Sequence, residues 1–235
     1  MITTILFDLD GTLLPMNQDI FVGAYIKGLA ATAAPYGYEP SVFAKAVMLG
    51  TKAMVKNDGT KSNEFAFWNA LADIVGDKIK SHTHIFDEFY RTDFQKISEV
   101  CGFSHKAADV IQSAKNLGLR VALATNPLFP VIATESRIKW AGLKPEDFEI
   151  FTTFETSNFC KPNPNYYREV CLKLGVAPEE CLMVGNDVSD DMVAEQLGMK
   201  VFLLTDCLIN KKNNDISKYQ QGNFDDLITY IENLK

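Results

Sequence analysis

Near the start of the chain, Asp8-Leu9-Asp10-Gly11-Thr12 sets two carboxylates two positions apart beside a glycine and a hydroxyl. Three further polar groups lie at distant points: Thr125 with Asn126, Lys161 before Pro162, and the run Gly185-Asn186-Asp187-Val188-Ser189-Asp190-Asp191. A carboxylate can attack an electrophile and so split one hard transfer into two easier ones. A second carboxyl nearby can protonate a leaving oxygen and later deprotonate water. Hydroxyl, amide and ammonium groups can steady charge that develops on oxygen. Around a phosphate such acids repel: two unit charges at ~5 Å cost about 3 kcal/mol at an effective dielectric of 20. The cluster therefore asks for a cation, and an all-oxygen donor set suits Mg²⁺, which keeps several waters and few protein ligands. Phosphoryl transfer, which needs positioning and charge cancellation above all, fits these residue types.

Elements must bring these groups together. Short apolar runs at 2–9, 120–125, 148–152, 181–185 and 200–204 read as buried strands, with helical patterns between the last four. The polar groups follow those runs, and parallel sheets place their ligands at the carboxyl ends of strands. Ser104 reads as a helix cap, followed by Ala107, Val110, Ile111, Ala114 and Leu117 on one face and Gly118 as the stop. Asn163-Pro164 opens a helix that ends at Leu174-Gly175, another runs from about Ser189 to Leu197, and a last amphipathic helix starts at Asn223. This alternation implies right-handed crossovers and a doubly wound, parallel α/β sheet. From 16 to 98 the apolar spacing is helical throughout, with breaks at Pro35-Tyr36-Gly37, Asn57-Asp58-Gly59 and Val75-Gly76-Asp77. It reads as an insertion of about four helices after the first strand.

With these motifs in this order, the chain resembles the haloacid dehalogenase-like hydrolase superfamily over essentially its whole length. Asp8-x-Asp10-Gly11-Thr12 matches the first motif, Thr125 the second, Lys161 the third and the Asp187/Asp191 run the fourth. The resemblance implies a Rossmann-like core of five parallel strands in residues 1–15 and 99–235. It also implies an all-helical cap of the C1 type in residues 16–98, hinged over the site. Asp8 is then the candidate nucleophile, forming an aspartyl-phosphate, and Asp10 the acid and base. Thr125, Asn126 and Lys161 would hold the phosphoryl oxygens. Asp8 and Asp187 would bind Mg²⁺ with their carboxylates, and Asp10 with its carbonyl. Asn186 departs from the family's usual Gly-Asp, and the ligand is placed at Asp187 because it precedes Asp191 by four residues. Asp191 is expected outside the direct ligands, opening the next helix where its charge suits the dipole. The second acid, Asp10, speaks against a dehalogenase, and Gly11-Thr12 is the phosphatase form. The expectation is a Mg²⁺-dependent phosphatase acting on a small phosphate monoester. A sugar phosphomutase would share its half-reaction, and an idle scaffold of the same fold would have no physical need for the clustered charges.

Composition narrows the partners. The 235 residues carry 23 Lys+Arg against 30 Asp+Glu, a net charge of -7, with no basic stripe for nucleic acid or an anionic membrane. No apolar run approaches the ~18 residues of a membrane span, and the first residues lack the basic start of a signal peptide. The five cysteines are odd in number and form no Cys-x-x-Cys pair, which points to reduced thiols in a cytoplasmic protein. Lys45, Lys52 and Lys56 lie opposite a stripe of Phe43, Ala46, Val47, Gly50 and Met54 and read as a solvated face. His82-x-His84 reads as surface, Cys160 as a packed thiol, and Trp68 with the aromatic-rich stretch 86–94 as packing within the insertion.

Overall fold

Thr4–Phe7 (β1) is buried at every position, as a strand covered on both faces must be. In this computed structural model, which describes residues 1–234, β1 is joined by Arg120–Leu123 (β2), Cys181–Gly185 (β3), Lys200–Leu204 (β4) and Gln220–Gly222 (β5). The sheet order is β2-β1-β3-β4-β5, and every pair is parallel. Phe7 stands opposite Leu123 on one side and Val184 on the other. The chain therefore leaves β2, β1 and β3 at one edge of the sheet.

The helices are Gln18–Ala33 (α1), Pro40–Val55 (α2), Asn63–Val75 (α3), Thr83–Arg91 (α4), His105–Asn116 (α5), Val131–Trp140 (α6), Pro164–Leu174 (α7) and Phe224–Glu232 (α8). Expected caps are in place. Ser104 accepts from the Lys106 N–H, and Asn163 from that of Asn165. Asn223 and Asp226 cap α8 reciprocally. The four inserted helices α1–α4 turn where the sequence breaks, with Gly37 and Gly76 at positive φ. Successive residues of β1 face opposite sides. Ile5 and Phe7 join an apolar cluster that runs on into α1–α4, whereas Leu6 joins Tyr166, Tyr167 and Val170 of α7 on the other face. The architecture is a Rossmann-like doubly wound α/β core with inserted helices.

Two expectations need correction. The run at 148–152 lies parallel beside β2, with backbone bonds from Glu149 N–H to the Val121 carbonyl (2.8 Å), from Leu123 N–H to that of Ile150 (2.9 Å) and from Thr152 N–H to that of Leu123 (3.1 Å). It forms one isolated bridge, Leu123 to Phe151, and not a full strand of the sheet. The fifth strand is instead β5, a half-exposed polar edge with no apolar pattern to reveal it. The helix expected from Ser189 is a 3₁₀ turn at Met192–Leu197. The Asp187 Oδ1 accepts the N–H groups of Ser189 (2.7 Å) and Asp190 (3.0 Å), which holds this stretch in a turn. Lys45, Lys52 and Lys56 are exposed and the stripe opposite them is buried, as expected of a solvated helix face. The Nδ1 of His82 lies 3.0 Å from the Tyr38 hydroxyl. Among the described residues no helix is long and apolar enough to cross a membrane.

Candidate active site

Asp8 follows β1 directly, and its N–H donates to the Val184 carbonyl at 2.9 Å. The chain then reverses through Gly11, at φ +85°, where a Cβ would run into the Asn186 amide. Thr12 Oγ1 lies 3.0 Å from both Asp8 Oδ2 and Asn186 Oδ1. The other oxygen of Asp8 accepts from Lys161 Nζ at 2.9 Å, and the same ammonium donates to Asp191 Oδ1 at 2.6 Å. Lys161 is 2% exposed and Asp191 1%. Burial alone would push the Lys161 ammonium down, but Asp191 and Asp8 outweigh it and raise it well above its usual value. Lys161 therefore stays charged.

Asp191 is not a helix cap. Its side chain makes no capping bond to the 3₁₀ turn. It takes Lys161 on one oxygen and the Asp187 N–H (2.9 Å) on the other. Burial, opposed by Lys161, pushes its carboxyl up to about 7.

Asp10 has a partner that sequence reasoning missed. Arg137 of α6, 0% exposed, forms an ion pair with Asp10 Oδ2, and its guanidinium carbon lies 4.3 Å from the centre of the Phe129 ring. Asp10 and Arg137 stand 127 positions apart, which leaves no motif spacing to detect. Asp10 Oδ1 is buried and has no hydrogen-bond partner. Burial raises the Asp10 carboxyl; Arg137 pulls it back and the Asp8 charge adds to the rise.

The second motif is held from behind. The Thr125 carbonyl accepts from the hydroxyls of Thr152 (2.6 Å) and Tyr166 (2.8 Å). Asn126 spends its side chain within the site: Oδ1 accepts the Lys161 N–H at 3.2 Å and Nδ2 donates to Asp190 Oδ2 at 3.3 Å. Its amide therefore positions the lysine loop. Cys160, next to Lys161, is a buried thiol that burial pushes up, so it is unactivated. All five cysteines are free.

Asp8, Asp10, Thr125, Asn126, Lys161, Asp187 and Asp191 line one cleft of about 100 Å³, together with residues of α1. Five carboxylates face it, those of Asp8, Asp10, Asp187, Asp190 and Asp191, against one cation among the described residues, Lys161. Among the described residues no three His, Cys, Asp or Glu side chains converge as a metal site. Two carboxylates and a carbonyl need no such triplet, because Mg²⁺ is commonly held by one or two carboxylates and waters. The backbone bonds of the 9–14 turn fall on the carbonyls of Leu9 and Leu14, which leaves that of Asp10 outside them. Both the oxygen-only donor set and the excess of negative charge fit such an ion.

Over 94 residues the chain is 33% identical to the putative phosphatase YhcW of Bacillus subtilis (strain 168), spanning 40% of this chain and 41% of that protein. Over 200 residues it is 24% identical to the pyrophosphatase PpaX of Bacillus cereus (strain AH820), spanning 85% and 81%. Its fold is similar to that of a predicted phosphoglycolate phosphatase from Haemophilus somnus 129PT, with a TM-score of 0.61 and 18% identity over 97% of each chain. It is also similar to L-2-haloacid dehalogenase from Xanthobacter autotrophicus, with a TM-score of 0.60 and 16% identity over 100% of each. The profile of haloacid dehalogenase-like hydrolases matches residues 2–198, which takes in every motif gathered at this cleft, and the chain belongs to that family of enzymes.

Proposed function

We propose that the protein is a Mg²⁺-dependent phosphatase that hydrolyses a small phosphate monoester through an aspartyl-phosphate on Asp8. The observation that carries this reading is Asp10: a half-buried second carboxyl in the same cleft, with its buried Oδ1 bare and its proton held more tightly than usual. Displacing an alkoxide calls for such an acid. The carboxylates of Asp8 and Asp187 and the Asp10 carbonyl would hold Mg²⁺, which when bound supplies the positive charge that the cleft lacks.

The chain's own residues account for the rest. Lys161 and Thr125 hold the phosphoryl oxygens in line with Asp8, whose carboxylate forms the new O–P bond. Arg137 occupies Asp10 Oδ2, so Oδ1 carries the proton that passes to the departing oxygen as the ester O–P bond breaks. Asp10, now ionised, takes a proton from water as that water attacks phosphorus, and inorganic phosphate leaves with Asp8 restored. Residues 16–98 act as the cap, and the five free thiols fit a reducing, cytoplasmic setting.

Release of inorganic phosphate from p-nitrophenyl phosphate, with and without Mg²⁺, tests the reading. Asp8→Asn should abolish release while leaving the circular dichroism and melting profile intact. Release that is independent of Mg²⁺ or survives Asp8→Asn overturns it. Pyrophosphate and phosphoglycolate, the compounds in the relatives' names, belong in the substrate panel. A sugar phosphate belongs there too, because isomerised product instead of free phosphate would mark a mutase.

A further inference from the structure

A second cavity of about 430 Å³ lies between the inserted helices and the core, and it adjoins the catalytic cleft: Val22, Leu128 and Phe129 line both. A phosphate seated at Asp8 would direct the rest of its ester this way. Aromatic rings form much of the wall. Trp68 and Phe86 meet edge to face at 4.9 Å between centroids, and Tyr25 and Phe129 at 5.0 Å.

The charges in that wall have one sign. Glu64, Asp87 and Glu155 line the cavity, and among the described residues no lysine, arginine or histidine does. Glu155 Oε1 accepts the Val131 N–H at 3.0 Å, but its Oε2 is buried without a hydrogen-bond partner. Glu64 opens α3, and its N–H donates to the Phe154 carbonyl at 2.9 Å, which brings it beside Glu155. Burial and then the Glu155 charge raise the Glu64 carboxyl. Among the described residues no cationic side chain in the cavity wall gives these two like charges, one with a bare buried oxygen, a counter-charge beyond the α6 N-terminus that Glu155 meets. An ammonium supplies it, through hydrogen bonds to the carboxylates and attraction to the ring faces.

Building on the phosphatase reading, we infer that the alcohol part of the substrate carries a positively charged amine on an apolar or aromatic frame. The cavity takes the amine while Asp8 takes the phosphate, and an anionic leaving group is repelled from it.

Three aryl phosphates with similar leaving phenols test this: O-phosphotyramine, 4-propylphenyl phosphate and 3-(4-phosphonooxyphenyl)propanoate. The amine should exceed the neutral ester in kcat/KM by about tenfold, and the carboxylate should fall below it by a similar factor. Glu64→Gln and Glu155→Gln, measured separately, should each shrink the amine-to-neutral ratio several-fold and favour the carboxylate. Calorimetry with tyramine and 3-(4-hydroxyphenyl)propanoate reads the cavity without turnover, and tyramine should bind more tightly. Equal kcat/KM for all three esters, with turnover still dependent on Asp8, overturns the inference and leaves the phosphatase reading standing. If no ester is turned over, the phosphatase reading falls, and calorimetry alone decides: preferential tyramine binding supports the cation cavity and equal binding overturns it.

Discussion

Asp10 and Arg137 show how two side chains set the proton chemistry of the cleft. Arg137 is wholly buried and pairs with one oxygen of Asp10, yet burial keeps the Asp10 carboxyl above its ordinary value. Its acid form therefore persists to higher pH, and kcat on alkyl phosphates should fall as pH rises through that raised value. Asp10→Asn should remove this limb and cost most with alkyl esters, least with aryl esters whose oxygen departs unaided. Equal losses across both classes would take the acid role from Asp10. Arg137→Leu strands the Asp10 carboxyl without its pair; urea unfolding should show a loss of about 3 kcal/mol. The pull that lowers Asp10 goes with it, so the falling limb should move to higher pH. The fourth motif divides its acids in the same way. Asp187 and Asp191 both line the cleft, but Lys161 and the Asp187 N–H take both oxygens of Asp191, whereas the hydrogen bonds to the Asp187 carboxylate fall on Oδ1 alone. Asp187→Ala should raise the Mg²⁺ concentration needed for half-maximal activity far more than Asp191→Ala does. Asp191→Ala should instead lower kcat and stability, because Lys161 loses a buried partner. A larger Mg²⁺ shift for Asp191→Ala would reverse the assignment.

Among the elements, the start of α3 decides how the inserted helices meet the site. The Asn63 N–H donates to the Ser157 carbonyl at 2.9 Å, and its side-chain amide donates to the Phe159 carbonyl (3.2 Å) and to Cys160 Sγ (3.3 Å). These bonds fasten the insertion to the segment that delivers Lys161. The two crossings where the chain enters and leaves the insertion, at 15–16 and 101–102, are tied to each other as well: Gly102 donates to the Pro15 carbonyl at 2.7 Å, and Met16 bridges Cys101. A rotation of residues 16–98 that admits substrate would thus break the Asn63 contacts while the crossings act as one hinge. Asn63→Ala should speed amide hydrogen exchange at residues 63–65 and leave α5 and the sheet unchanged. Unaltered exchange there would mean that the helices open elsewhere or not at all. The elements that local patterns foretold are those with a strong cap or an unbroken apolar run, such as α5, α7 and β3. β5 was hidden, since a polar edge strand carries no periodicity, and the stretch read as a helix from Ser189 is a shorter 3₁₀ turn because the Asp187 side chain holds its start.

For the molecule as a whole, one apolar cluster joins the sheet to the inserted helices. Phe94, fully buried, stands at the join: its ring lies 4.9 Å from Trp140 of α6, 5.3 Å from Tyr90 and 6.4 Å from Phe21. Phe94→Ala should cost about 3–5 kcal/mol. If core and insertion melt together, calorimetry should show a single transition moved down; two transitions in the variant would mean that this ring couples them. Residues close in sequence determined a good deal: the parallel α/β class, the helical insertion, and the strand-end positions of Asp8, Thr125 and Asp187. Those signals are local, because a strand's burial, a cap or an Asp-x-Asp turn is written within a few residues. The Arg137–Asp10 pair, the sharing of Lys161 between Asp8 and Asp191, and the crowding of Glu64 against Glu155 were decided only in three dimensions. Each joins positions far apart along the chain. No periodicity spans such gaps; it takes the sheet order β2-β1-β3 and the docking of α3 and α6 to bring those charges within reach.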